Sequence, residues 1–314
     1  MFKVSANPHV RDSISTSKVM LYVIIGLLPT SIYGVYHFGL RALLHILIGV
    51  ISAVAFEYIF NRIVAKQCTI GDLSAVITGL LLALNLPVSV PLWMPVLGSL
   101  FAIVVVKGLF GGLGQNFMNP ALAARCFLLI SFSKLMTNFS TDLSAVDAVS
   151  VATPLQCIRD GSVVSLKDMF IGNTYGTIGE TSALCILIGA AIMLCLGVID
   201  LYIPATYIGS FAVCIFLFKG CSLSLYDIGL QLVGGGLMLG AFFMATDYVT
   251  RPISIKGQVV YGIFLGFMTA IFRCFAPSAE GVSYAIIIGN LMVPLIEKIT
   301  VPAPFGLAKK GGRA

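Results

Sequence analysis

The sequence predicts an all-α polytopic membrane protein, and three observations carry that prediction. Only 10% of its 314 residues are charged and 58% are hydrophobic, whereas a soluble domain needs roughly 25% charged residues to wet its surface. The apolar residues gather in runs of about 20, the length that crosses a hydrocarbon core as a helix. The polar residues between runs are few, except in one long connection over residues 137–180. The expected architecture is about ten transmembrane helices in two five-helix repeats, with some helices short or broken.

The runs come in this order: 18–37, 41–64, 73–87, 93–112, 119–136, 181–199, 201–218, 228–246, 257–275 and 281–300. Residues 1–17 are polar, so no signal peptide is expected and the first run reads as an uncleaved span. The third and fifth runs are short and interrupted by polar residues or proline. Such segments are candidates for half-membrane helices, tolerated where protein or water shields their backbone, or they are tilted spans. The halves echo each other. Gly79 to Pro91 reads GLLLALNLPVSVP and Gly240 to Pro252 reads GAFFMATDYVTRP, each from a glycine in a span to a proline past its end. Three regions follow: a first helical repeat over 1–136, the loop 137–180, and a second repeat over 181–314.

Net charge is +6, and its placement sets orientation. With the N-terminus cytoplasmic, that side holds twelve Lys and Arg, Lys107 among them, against six on the other, including Arg41 and Arg273. The positive-inside bias then places both termini in the cytoplasm and the 137–180 loop outside. No basic stripe on a polar domain exists, which excludes nucleic acid as a partner; the partner surface is the lipid bilayer. The eight cysteines lack any C-x-x-C and lie mostly in apolar runs, where they read as small hydrophobes. A redox role would therefore need an organic cofactor or partner subunits. His37 and His45 lack the spacing and third ligand of a metal or haem site.

Acids at membrane depth are costly and often mark ion pathways. Glu57 lies in the second run, Asp72 opens the third, Asp200 separates the sixth and seventh, and Asp247 ends the eighth. Asp247 reads either as an ion-pathway acid or as a structural group capping a broken helix or pairing Arg251. Arg125, inside the fifth run, needs an acid or a cofactor oxygen as partner. Asn116 and Asn119 both donate and accept hydrogen bonds, and the helix start at Asn119-Pro120 offers backbone N–H groups to an anion or carbonyl. Gly111–Gly114 reads as part of that site or as a tight turn.

The most informative stretch lies in the long loop: Asp147-Ala-Val-Ser150-Val-Ala-Thr153-Pro154-Leu155. Pro154 biases Thr153 toward an extended conformation, which by itself describes an ordinary Ser/Thr turn. The pattern D-x-x-S-x-A-T-P-L resembles the flavinylation motif of a family formed by the D subunits of Rnf complexes and the B subunits of sodium-pumping NADH:quinone reductases. Alanine and valine stand at Ala148 and Val151, where that motif often has glycine. Three more stretches resemble the same family: Ser5-Ala-Asn-Pro-His-Val-Arg11, Gly111-Gly-Leu-Gly-Gln-Asn116-Phe-Met-Asn119-Pro-Ala, and Met244-Ala-Thr-Asp247-Tyr-Val-Thr-Arg-Pro252. The chain's length is nearer to the Rnf branch.

The resemblance implies FMN joined through a phosphoester to Thr153, with Asp147 and Ser150 completing the motif. It implies a second, non-covalent flavin, riboflavin or FMN, in the membrane portion, for which Asn116, Asn119 and Arg125 are the candidate ligands. It also implies an electron-transfer subunit of an ion-translocating ferredoxin:NAD oxidoreductase, not catalytic alone, in a bacterial inner membrane. The implied partners are the other Rnf-type subunits: a G-type covalent flavoprotein, A- and E-type membrane subunits, and B- and C-type iron–sulfur and flavin subunits. Asp247, Glu57 and Asp72 become candidates for a Na+ or H+ pathway. The alternative is a small-solute channel of urea- or ammonium-channel-like fold, which leaves the loop motif without a purpose.

Overall fold

The computed structural model describes residues 14–64, 69–139, 153–159, 164–219, 224–276 and 281–300. Among these residues regular structure is helical, with one isolated antiparallel bridge between Pro87 and Thr177. The first half holds α1 (Thr16–Phe38), α2 (Leu40–Ile63), α3 (Ser74–Leu84), α4 (Trp93–Gly108) and α5 (Pro120–Ser131). The second holds α6 (Ala183–Cys195), α7 (Tyr202–Phe218), α8 (Leu225–Val233), α9 (Leu237–Met244), α10 (Ile255–Phe275) and α11 (Val282–Thr300). Polar residues at the edges of the apolar runs start these helices. Ser15, Ser182 and Ser254 each cap one by accepting from a backbone N–H three residues on, which satisfies an otherwise orphaned donor.

Every run expected to span carries a helix, but length separates them. α1, α2, α10 and α11 are long and apolar enough to cross a membrane, and the bent pair α8–α9 makes a fifth if taken as one span. The remaining apolar helices have 10–17 residues. The run 228–246, expected as one span, is broken: α8 and α9 meet at 65°. Gly235 (φ 65°) and Gly236 (φ 69°) adopt the left-handed region there, which costs a residue with a Cβ about 1–2 kcal/mol. Large apolar side chains on the outside, such as Ile32, Ile51 and Val213, are more than half exposed. Water would penalise that belt and hydrocarbon does not; the chain is a multi-pass membrane protein.

Small residues let the helices meet closely. A Cβ at Gly189 of α6 would stand 2.0 Å from the Gly26 carbonyl of α1 and 3.0 Å from the Phe243 ring. At the α2–α3 contact a Cβ on Gly79 would stand 2.4 Å from the Gly49 carbonyl. Close backbone approach replaces the hydrophobic effect as the driving force between helices in lipid. Gly189→Val is therefore expected to lower the melting temperature of the detergent-solubilised chain, by the equivalent of about 1–3 kcal/mol or more, as in an overpacked core. Gly209→Val on α7, where a Cβ meets nothing within 4 Å, should be close to neutral in the same melt. Equal melting of the two variants would contradict the packing argument.

The chain between α3 and α4 runs back through protein. Its Leu84 and Leu86 carbonyls accept from the Gly179 and Ile178 N–H groups at 2.7 and 3.2 Å. Arg41 donates to the Ser89 and Val90 carbonyls at 3.3 and 3.2 Å, and the fully buried His45 ring lies 3.0 Å from the same Val90 oxygen. The same interval separates Leu40 from Tyr202, Trp93 from Ile255, and Pro120 from Val282, the first residues of α2 and α7, α4 and α10, and α5 and α11.

Candidate functional site

Two cavities lie toward opposite ends of α1. Met20 and Val23, near its start, line the first. Near its other end, Gly34 backs onto Ile178 and Tyr33 onto Gly172, beside the segment that walls the second. Met20 and Gly34 are separated by roughly 21 Å of helix at 1.5 Å per residue.

The first cavity, termed inner for its place at the start of α1, has about 780 Å³ of empty volume with its open side included. It brings together the two motifs at 111–121 and 244–252. Asn116, Asn119 and Pro120 come from the start of α5, and Thr246, Asp247 and Tyr248 from the end of α9. Asn119 joins them by donating to the Met244 carbonyl at 3.4 Å. Its Oδ1 accepts from the Ala121 and Leu122 N–H groups at 3.0 and 3.3 Å, so those donors are used within the helix start instead of facing an anion. The glycine run is a turn, with Gly111, Gly112 and Gly114 all at positive φ, and it delivers Asn116 to the cavity. The Asp247 carboxylate accepts from the Val249 N–H and the Thr250 hydroxyl at 3.4 and 3.2 Å, which closes the turn after α9. Arg251 turns away, 3.9 Å from the largely exposed Asp200 and stacked on Tyr248.

Ser74 and Lys107 form one wall, and an ionic cluster stands behind them. The Lys107 Nζ donates to Glu57 Oε1 at 2.8 Å and to Ser74 Oγ at 2.6 Å. Thr69 donates to the same Glu57 oxygen at 2.6 Å, and Asp72 accepts from the Ser74 N–H and hydroxyl. Glu57 and Lys107 are each 4% exposed, and Glu57 Oε2 has no hydrogen-bond partner among the described residues. Lys107, counted above on the cytoplasmic side, is thus the buried counter-ion of Glu57. Arg273, counted on the outer side, is likewise buried: it donates to the Gln231, Gly234 and Gly235 carbonyls at the break after α8 and lies over the Phe211 ring.

The second cavity, toward the other end of α1 and termed outer, is smaller, about 390 Å³ with its open side. Thr153 lies on it together with Thr174, Tyr175, Glu180, Thr181, Gly234 and Gly235. Thr153 is half-buried and directly precedes the short helix Pro154–Arg159, where its Oγ1 accepts from the Gln156 N–H at 3.3 Å. Asp147, Ser150 and the motif at 5–11 lie outside the described residues. Arg125 lines neither cavity. It donates to Asn85 and to Glu180, both at 2.8 Å, and so reaches the outer one through an acid. His45 is held by backbone carbonyls, and His37 stacks on Tyr33.

Lys107, Glu180 and Asn85 were missed by sequence reasoning. A lysine inside the apolar run Val104-Val-Val-Lys107-Gly-Leu-Phe110 was a usable signal, since a cation at that depth needs a partner. Glu180 and Asn85 carried none, being ordinary polar residues at the ends of runs.

The family model described as NQR2, RnfD, RnfE matches residues 3–306. The chain is 45% identical over 311 residues to the D subunit of the Na+-translocating ferredoxin:NAD+ oxidoreductase complex of Acetobacterium woodii, covering 98% of this chain and 96% of that one. It is 39% identical over 319 residues to the D subunit of the proton-translocating ferredoxin:NAD+ oxidoreductase complex of Clostridium ljungdahlii, with 98% and 96% covered. With the D subunit of the ion-translocating oxidoreductase complex of Escherichia fergusonii, identity is 32% over 352 residues, covering 98% and 99%.

Proposed function

Since this chain belongs to the NQR2, RnfD, RnfE family, we propose that it is the membrane electron-transfer subunit of an Rnf-type, ion-translocating ferredoxin:NAD oxidoreductase, with FMN held as a phosphoester on Thr153. The observation that carries this reading is the position of Thr153, a hydroxyl in the D-x-x-S-x-A-T-P-L match that lines a cavity shared with Thr174, Thr181 and Glu180. The residues around it suit a flavin. The Thr174 and Thr181 hydroxyls and the Glu180 carboxylate are partners for ribityl hydroxyls, and the partly exposed Tyr175 ring offers an apolar face. Bound there, FMN supplies one- and two-electron transfer, while the protein fixes its place and surroundings.

The inner cavity is assigned to the second, non-covalent flavin, riboflavin or FMN. Its amides, hydroxyls and aromatic side chains at Asn116, Asn119, Thr246, Tyr248 and Phe243 complement a polar-edged ring. Asn116→Leu should lower the amount of flavin released on denaturing the native chain, about fivefold for one lost hydrogen bond near 1 kcal/mol. Covalent flavin should be unchanged; undiminished release in that variant would remove the inner assignment. Glu57, Asp72 and Asp247, all on or behind this cavity, form the inner end of the ion pathway, for Na+ or H+ as in the names of the two relatives.

The ten-helix, two-repeat layout is supported by the shared interval between corresponding helix starts and by the glycine contact of α1 with α6. In this reading the termini are cytoplasmic, the outer cavity faces away from the cytoplasm of a bacterial inner membrane, and the partners are the G-, A-, E-, B- and C-type subunits of the complex. The test is to purify the full-length chain from a host with flavin-transferase activity, denature it, and record flavin fluorescence of the gel band and the mass of the peptide containing Thr153. Bound flavin on that peptide is expected. An unmodified mass in the wild type would withdraw the reading.

A further inference from the structure

We propose that Glu180 sets the reduction potential of the flavin on Thr153, and that Arg125 is the positioning residue that fixes its carboxylate; the proposal rests on the covalent-flavin reading above. Among the described residues that line the outer cavity, Glu180 alone carries a charge. Its side chain is only 6% exposed, so water screens that charge poorly.

Three separate parts of the fold hold the carboxylate in place. The preceding residue, Gly179, donates to the Leu84 carbonyl at 2.7 Å, and a Cβ on it would stand 2.7 Å from that of Leu84. The strand-like segment before Glu180 therefore lies flush on the end of α3. From α5, Arg125 donates to Glu180 Oε1 at 2.8 Å while also donating to Asn85 Oδ1 at 2.8 Å. Asn85 is itself fixed by donating to the Leu81 carbonyl at 2.6 Å. On the far side lies Gly236, where a Cβ would meet Glu180 Oε1 at 2.4 Å. Glycine at that position admits the carboxylate, and the arginine keeps it there.

A fixed anion in a poorly screened site opposes the arrival of further negative charge nearby. The couple concerned is FMN plus two electrons and one proton giving the anionic dihydroflavin, so the ring gains one negative charge on reduction. Electrons come from a reduced partner in the assembly or from dithionite in the test, and the proton from water. Glu180 holds the midpoint potential down, and Arg125 offsets part of that effect while determining where the negative charge sits.

The experiment uses the full-length chain, loaded with FMN in a host with flavin-transferase activity and held in detergent. Dithionite titration against reference dyes reads midpoint potentials from the flavin absorption band, and the one belonging to the flavin on Thr153 is the one missing from a Thr153→Ala chain. Glu180→Gln is expected to move it in the positive direction. Glu180→Asp keeps the charge but draws it back by one methylene, and should fall between the two. Asp200→Asn, which removes an exposed acid remote from this cavity, should match the wild type. FMN-bearing Glu180→Gln with a wild-type midpoint overturns the proposal, as does an equal shift in Asp200→Asn. If Glu180→Gln yields no folded chain, Glu180→Asp decides, and a midpoint equal to the wild type then overturns it. Absence of covalent FMN from the wild type would overturn the underlying reading instead.

Discussion

Thr153→Ala is expected to leave a folded chain with no covalent flavin, a complete loss by both gel fluorescence and peptide mass. A phosphoester needs the side-chain oxygen, and alanine has none. The structural cost is small and local. Thr153 Oγ1 accepts one hydrogen bond, from the Gln156 N–H at the start of Pro154–Arg159, and losing such a cap costs about 1 kcal/mol. Thermal melting of the variant should therefore stay near that of the wild type, which separates loss of the acceptor from loss of the fold. Thr153→Ser restores an oxygen and should recover attached flavin, whereas Thr153→Val keeps the shape without the oxygen and should not. Flavin persisting on the same peptide in Thr153→Ala would move the attachment to another hydroxyl and dissolve the assignment of the outer cavity.

Lys107→Met is expected to be the most destabilising single change, costing about 3–5 kcal/mol, the usual cost of removing one partner from a buried ion pair. Glu57 would keep its carboxylate at a site that is 4% exposed, with Thr69 as its remaining hydrogen-bond donor among the described contacts. Such a carboxylate must either stay charged without its counter-ion or take up a proton, and both are unfavourable relative to the pair. Pairing Lys107→Met with Glu57→Leu should recover much of the loss, because the uncompensated charge disappears with its partner. Melting of the two single variants and the double variant in one detergent gives the coupling directly. A Lys107→Met chain that melts with the wild type would show that the pair carries no weight in the fold. Because Lys107 also lines the inner cavity, the single variant should lose non-covalent flavin as well.

Much of the fold was legible because span length and glycine placement are local properties. The apolar runs located the helices within a few residues, and the short third and fifth runs correspond to α3 and α5, of 11 and 12 residues. The break between α8 and α9 was not anticipated, although Gly234-Gly235-Gly236 announces it once two consecutive left-handed residues are considered. At the site, the glycine-rich motif and the one around Asp247 were each readable alone. Their meeting at one cavity was not, since 125 residues separate Asn119 from the Met244 carbonyl it bonds.

By itself, the sequence determined that this chain resides in a bilayer and where its helices lie, and its resemblance to a family singled out Thr153 as the proposed flavin acceptor. Those conclusions need only composition, run length and contiguous motifs. Tertiary structure alone decided how the scarce charges are used: Glu57 with Lys107 across 50 residues, and Arg125 with Glu180 across 55. In an apolar interior a charge is tolerable only beside its partner. Which partner that is depends on how α2 meets α4, and on how α5 meets the segment leading into α6, and no local pattern in the chain encodes those crossings.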